Sequence, residues 1–271
     1  HPPAIFVYST CIVGIIGDDL TSICKKACLE LGIPVLPVKS EGFRGSKNEG
    51  YKAACNALAE LIGIRDYRPK GPSINLLGEY NVAGDLSFVK PFFEEMGLEV
   101  VATFTGDSRV EEIMRAQSAK LNLVQCSGSM TYLAKKMEEK YGIPYRRISF
   151  FGLHDMSAAL RTAAEFFGSA AMKEKAEEII RREMERVSPE IEAYRSRVAG
   201  KKAAIYMGGA AKAVSLVKAF QELEMEVVII GTQTGNREDY EKIAYIIKEG
   251  TVIIDDANPL ELKELLIKQN A

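Results

Sequence analysis

Histidine is nearly missing from this chain: His1 and His154 are the only two in 271 residues. That leaves little for imidazole-based acid–base chemistry. The five cysteines, Cys11, Cys24, Cys28, Cys55 and Cys126, are odd in number, and none forms a Cys-x-x-Cys pair. Both facts argue against a disulfide framework and against a self-contained zinc site. No apolar run reaches the roughly 18 residues of a membrane span, and His1-Pro2-Pro3 does not open a signal peptide. Charge of one sign is lacking as well, with 35 Lys and Arg against 37 Asp and Glu. Nothing in that balance draws the chain to nucleic acid or to an acidic membrane surface. The expectation is a soluble, cytoplasmic protein with no nucleic-acid and no membrane partner. G-x-G-x-x-G and G-x-x-x-x-G-K-[ST] are both absent, so a nucleotide is not the first choice of ligand.

What is present is enough apolar material, 47% of residues, to build full cores, and a length that suits one to three α/β domains. Leu121, Leu123 and Val124 form a short apolar run that stops at Cys126-Ser127-Gly128-Ser129, before a helical pattern resumes at Met130. This reads as a buried strand, a tight turn and a helix. In an open parallel sheet ligands lie beyond the carboxyl ends of strands, which is where Cys126 falls. The competing reading is a small, inert buried cysteine.

From the start of the chain, residues 4–8 read as a strand that opens without a cap or turn. Ser9-Thr10-Cys11 ends it, and Gly14 and Gly17 bracket Ile15-Ile16. Asp18-Asp19 suits the start of a helix running to Leu31. Cys24 and Cys28 share one face of that helix, as core packing rather than as a metal site. Residues 33–38 read as a strand and 40–48 as a polar, glycine-rich loop, where Arg44 and Lys47 give an anion positive charge and Gly42 and Gly45 allow close approach. A helix is expected over 50–61, and the proline-bearing stretch 65–72 marks a domain boundary.

Internal repetition follows. Phe93-Glu94-Glu95-Met96-Gly97-Leu98-Glu99-Val100-Val101 parallels Phe220-Gln221-Glu222-Leu223-Glu224-Met225-Glu226-Val227-Val228, each between a helix and a strand. Alternating strands and helices at this spacing imply parallel βαβ units. The fold class read from this is α/β, successive Rossmann-like doubly wound parallel-sheet domains truncated at both ends. Residues 1–70 are the remainder of a first domain, 71–165 a second, 166–199 a linking helical segment broken near Ser188-Pro189, and 200–271 an incomplete third. Cys11 and Cys126, isolated in sequence but each at a strand's carboxyl end, suit iron–sulfur ligation completed by other segments or another chain.

The stretches Val7-Tyr8-Ser9-Thr10-Cys11 with Gly14 and Gly17-Asp18-Asp19, Leu121-Asn122-Leu123-Val124-Gln125-Cys126, Met137 to Pro144, and Gly208-Gly209 resemble the nitrogenase component 1 α-subunit superfamily. Within it, residues 42–48 and 74–81 look more like the scaffold that assembles the iron–molybdenum cofactor than like the catalytic subunit. The resemblance implies three Rossmann-like domains around a cofactor cleft and a NifN-like β subunit in a heterotetramer, with the nitrogenase iron protein as a further partner. By the same resemblance Cys11 matches a ligand of a [4Fe-4S] cluster shared with the partner. Cys126 matches the cysteine that holds the cofactor, or its precursor, through a terminal iron. Lys47, Asn48, Tyr51, Gly208, Gly209 and Lys212 fall at cofactor-binding positions. Tyr51 stands where the catalytic subunit has a histidine and Ala211 where it has an arginine, with Lys212 adjacent; both losses argue against dinitrogen reduction. The expectation is a cluster-binding scaffold rather than a turnover enzyme, with neither cluster held by this stretch alone. The alternatives are a catalytic α subunit, or a nucleotide- or sugar-binding Rossmann module with incidental cysteines.

Overall fold

The computed structural model describes residues 2–125, 129–235, 237–256 and 258–270, and it groups the chain into two compact units, His1–Arg147 and Ile148–Ala271. In the first, β1 (Ile5–Tyr8) leads through α1 (Cys11–Ile16) and α2 (Leu20–Leu31) to β2 (Val35–Val38), then α3 (Lys47–Leu61). There follow β3 (Ser73–Glu79), α4 (Leu86–Glu95), β4 (Glu99–Thr105), α5 (Val110–Met114), β5 (Leu121–Val124), α6 (Ser129–Tyr141) and β6 (Tyr145–Arg147). β1 and β2 pair in parallel, and a second parallel sheet has the order β4-β3-β5-β6. The chain therefore leaves β3 to one side for β4 and returns past it to β5. This puts the topological switch point between β3 and β5, at the place where doubly wound sheets hold ligands.

Burial explains why these strands read as apolar runs: every residue of β3 and β5 is buried, as a parallel sheet covered on both faces requires. Leu77, Phe104 and Val124 from the sheet, Leu133 and Met137 from α6, and Cys55 and Leu61 from α3 share one core, with Phe6 and Leu36 packed against it. Two asparagines interrupt this apolar pattern. Asn75 on β3 donates to Asn122 Oδ1 on β5 at 2.9 Å and to the Ala116 carbonyl at 2.9 Å, while Asn75 Oδ1 and Asn122 Nδ2 are buried without a partner among the described residues.

In the second unit, α7 (Gly152–Phe167) and α8 (Ala170–Val198) precede β7 (Lys202–Gly209), α9 (Ala210–Glu222), β8 (Glu226–Thr234), α10 (Arg237–Ile246), β9 (Val252–Asp255) and α11 (Pro259–Gln269). The parallel order is β7-β8-β9. Ile205, Val217, Ile230 and Ile243 form its core. No described helix is long and apolar enough to cross a membrane.

The stretch from Cys11 is a helix: Thr10 Oγ1 accepts the Val13 N–H, and Gly17 closes α1 in the left-handed region at φ 78°, which glycine adopts without a Cβ penalty. Two local expectations are corrected. The loop expected over 40–48 ends early, because Ser46 occupies the N-cap position of α3 and Glu49 lies in its first turn, so Lys47 and Asn48 are helical. The break expected at Ser188-Pro189 does not occur, and α8 runs through Pro189. There the Ser188 hydroxyl donates to the Met184 carbonyl at 2.6 Å, and Ser188, Pro189 and Glu190 are exposed, so the carbonyl that proline leaves unpaired lies in a stretch of helix open to solvent.

Candidate functional site

The loops after β1 and β2 are stitched together at the carboxyl edge of their sheet. Ser9 is buried and its hydroxyl accepts the Ser40 N–H at 3.0 Å, while the Ser40 hydroxyl donates to the Ser9 carbonyl at 2.9 Å. This brings the glycine-rich segment 41–45 over α1. The Gly42 N–H donates to Cys11 Sγ at 3.3 Å, and Cys11 is exposed. Gly14 lets the two segments close: a Cβ there would lie 2.5 Å from Glu41 Cγ and 3.0 Å from Phe43. Glu41 itself is buried and pairs with Arg44 at 2.5 Å. Burial pushes its carboxyl up, but its own backbone N–H, the Ser9 hydroxyl and Arg44 outweigh that and hold it below the usual carboxylate range.

The end of β5, which the second cysteine follows in sequence, lies at the switch point. β5 ends at Val124, and Gln125 continues its ladder for one bond, its N–H donating to the Leu77 carbonyl at 2.8 Å. Cys126, the next residue in sequence, lies outside the described residues. Beside Gln125 stands Glu79, the buried last residue of β3. Its Oε2 accepts from Gln125 Nε2 at 2.6 Å and its Oε1 from the Asn81 N–H at 2.7 Å.

Among the other expected site residues of the first unit, Lys47 and Asn48 lie in the first turn of α3, Asn48 exposed, and Tyr51 one turn further on, 40% exposed. In the second unit Gly208 and Gly209 end β7, Gly209 serves as N-cap of α9, and Lys212 Nζ sits 5.3 Å from the centre of the Phe151 ring. Sequence reading missed three pairings. Glu79 with Gln125 is one. Glu222 accepts the N–H groups of Leu153 and His154, both at 2.9 Å, and so caps α7. Buried Asp155 receives Lys218 Nζ at 2.9 Å. Burial pushes the Asp155 carboxyl up, but Lys218, Ser215 and His154 bring it below the usual range. A carboxylate in a buried strand that ends at a glycine-marked bend was the one local signal for Glu79.

The chemistry available is that of an exposed cysteine sulfur receiving an amide N–H, the kind of hydrogen bond that tunes cluster sulfurs. Cys11 fits one soft ligand to iron. Among the described residues no three His, Cys, Asp or Glu side chains gather to hold a metal ion.

Parallel sheets alternating with helices define an α/β protein of the doubly wound class. The family model of nitrogenase component 1 type oxidoreductases matches residues 1–271, and the chain belongs to that family. It is 60% identical over 282 residues to the nitrogenase iron-molybdenum cofactor biosynthesis protein NifE of Methanosarcina barkeri, covering 100% of this chain and 61% of that protein. The protein of the same name from Clostridium pasteurianum is 52% identical over 271 residues, covering 100% and 59%. The nitrogenase molybdenum-iron protein alpha chain of Methanothermobacter thermautotrophicus is 40% identical over 274 residues, covering 98% and 56%. The chain thus spans 56% to 61% of the length of these relatives. The solved structure "Nitrogenase Cp1 at pH 5" matches with a TM-score of 0.91 at 31% identity, covering 100% of this chain and 61% of that one.

Proposed function

We propose that this chain forms part of a scaffold subunit on which the nitrogenase iron–molybdenum cofactor is assembled. The observation that carries the reading is the identity of 60% and 52% to proteins named for cofactor biosynthesis; relatives of that name extend down to 38%, and a molybdenum-iron protein alpha chain is 40% identical. Tyr51, in place of the histidine that the catalytic subunit carries there, supports it. In this reading Cys126 holds the iron–sulfur precursor, which is cargo; by the family resemblance Lys47, Asn48 and Tyr51 of the first unit, and Gly208, Gly209 and Lys212 of the second, fall at cofactor-binding positions. Cys11 is one thiolate ligand of a [4Fe-4S] cluster shared with a NifN-like β subunit in a heterotetramer, and the Gly42 N–H stabilises its sulfur. When bound, that cluster supplies one-electron redox capacity. The nitrogenase iron protein is the transient partner, and the setting is cytoplasmic.

The test uses the complete complex, purified anaerobically. Cys126→Ala is expected to lose precursor iron and keep the shared cluster, and Cys11→Ala to do the reverse, because no water or serine replaces a thiolate's bond to iron. Equal loss of both in either variant would assign the cysteines to folding. Acetylene reduction at catalytic-subunit rates, with partner and reductase present, would replace the scaffold reading with the catalytic one.

A further inference from the structure

Glu79 occupies a position that a regular strand would not give it. Against β4, Leu77 faces Phe104 and Glu79 faces Thr105, so Gly78 is an extra residue in the ladder, and its φ of 91° lies in the left-handed region. Such a bulge re-aims the side chain that follows it. Here it turns a carboxylate toward the neighbouring strand at the topological switch point, where 7% of Glu79 remains exposed. Among the described residues no cation pairs with it. Its charge is met by two N–H donors, from Asn81 at 2.7 Å and Gln125 at 2.6 Å.

The carboxylate also dictates how the Gln125 amide lies. The NH2 end of the amide faces Glu79, Nε2 donating to Oε2 at 2.6 Å, so the carbonyl end faces away. That carbonyl oxygen, Oε1, is buried and has no partner among the described residues, on a residue that is 9% exposed. An apolar pair of this size would cap the strand end without an unmet acceptor. The arrangement makes sense as one that holds a strand end in place: Gln125 is held by its backbone bond to Leu77 and by its side-chain bond to Glu79, and the residue that departs from it is Cys126.

We propose that Glu79 is a positioning residue for the ligand-bearing end of β5, acting through Gln125. This rests on the reading of Cys126 as the precursor ligand. Groups that orient a metal ligand from behind typically change metal affinity ten- to a hundredfold when removed.

The experiment is a double-mutant cycle in the complete complex with its partner, anaerobically loaded with precursor. It follows iron release to a chelator in Glu79→Ala, Gln125→Met, the double variant and Glu79→Gln. Each single truncation is expected to speed release about tenfold or more, and the double variant no more than either single, since both remove one interaction. Glu79→Gln keeps an oxygen for the Asn81 N–H and offers an NH2 to a reversed Gln125 amide, so it is expected to release iron at close to the native rate. Wild-type release in Glu79→Ala, additive effects in the cycle, or a Glu79→Gln as impaired as Glu79→Ala would each overturn the proposal. Site-resolved alkylation of Cys126 in the metal-free complex gives a second measure, expected to rise in both single variants and not in Glu79→Gln. If Cys126→Ala retains precursor iron, the scaffold reading of that cysteine fails. The alkylation rates alone then decide the positioning role, and unchanged rates would end it.

Discussion

The Gly42 N–H donates to Cys11 Sγ at 3.3 Å across 31 positions of sequence, so the sulfur that ends the first strand is held by the loop that follows the second. Because Cys11 is exposed while Cys24 and Cys55 are each 1% exposed, metal-free protein should alkylate at Cys11 first. Burial also pushes the Cys24 thiol up, which lowers its thiolate fraction further. Peptide-resolved mass spectrometry should find Cys24 and Cys55 modified only in denaturant; early labelling of either would contradict the packing described.

Gly14 and Gly50 make opposite predictions on substitution by alanine. At Gly14 the new methyl meets buried Glu41 at 2.5 Å, and displacing it should cost about 1–3 kcal/mol, as overpacking does. At Gly50, within α3, a Cβ meets nothing within 4 Å, and alanine should stabilise by about 0.5–1 kcal/mol. Urea midpoints of the two variants against the parent decide this, and a stabilising Gly14→Ala would show that segment 41–45 does not close on α1.

Asp155 makes stability of the second unit depend on pH. Its carboxyl is held below the usual range in the folded chain, so its contribution is full above the unfolded value of about 3.9 and is lost as pH falls through the folded value. Lys218 keeps a third of its side chain in water, so the loss in Asp155→Asn should be modest, about 1–2 kcal/mol near neutral pH. The melting-temperature gap between variant and parent should close below about pH 4. A gap that stays constant to pH 3 would assign the effect to packing.

Pro189 lies inside α8 with exposed neighbours. Proline inside a helix removes one hydrogen bond and clashes with the preceding turn, costing up to about 3 kcal/mol relative to alanine. Pro189→Ala should therefore raise the unfolding midpoint of the second unit, followed by far-ultraviolet circular dichroism. A lowered midpoint would mean that Pro189 itself contributes to packing.

Much of this molecule was determined by residues close together in sequence. Apolar runs such as Leu121-Asn122-Leu123-Val124 and the alternation of strand and helix specify parallel α/β units, because period and run length are local properties. Caps are local too: Asp19 accepts from Ser22, and Asn258 from Leu260 and Glu261. Tertiary structure decided the rest. Cys-Ile-Val-Gly-Ile-Ile is a poor helix by propensity, rich in β-branched residues and holding a glycine, yet α1 forms under the Thr10 cap and the packed loop. The partners Glu79 and Gln125 are 46 positions apart, and Asp155 and Lys218 are 63 apart. Which strand lies beside which, here β5 against β3 rather than β4, follows from how cores pack and chains cross over. The hydrophobic period of any single segment is the same in either order, so it could not disclose these pairs.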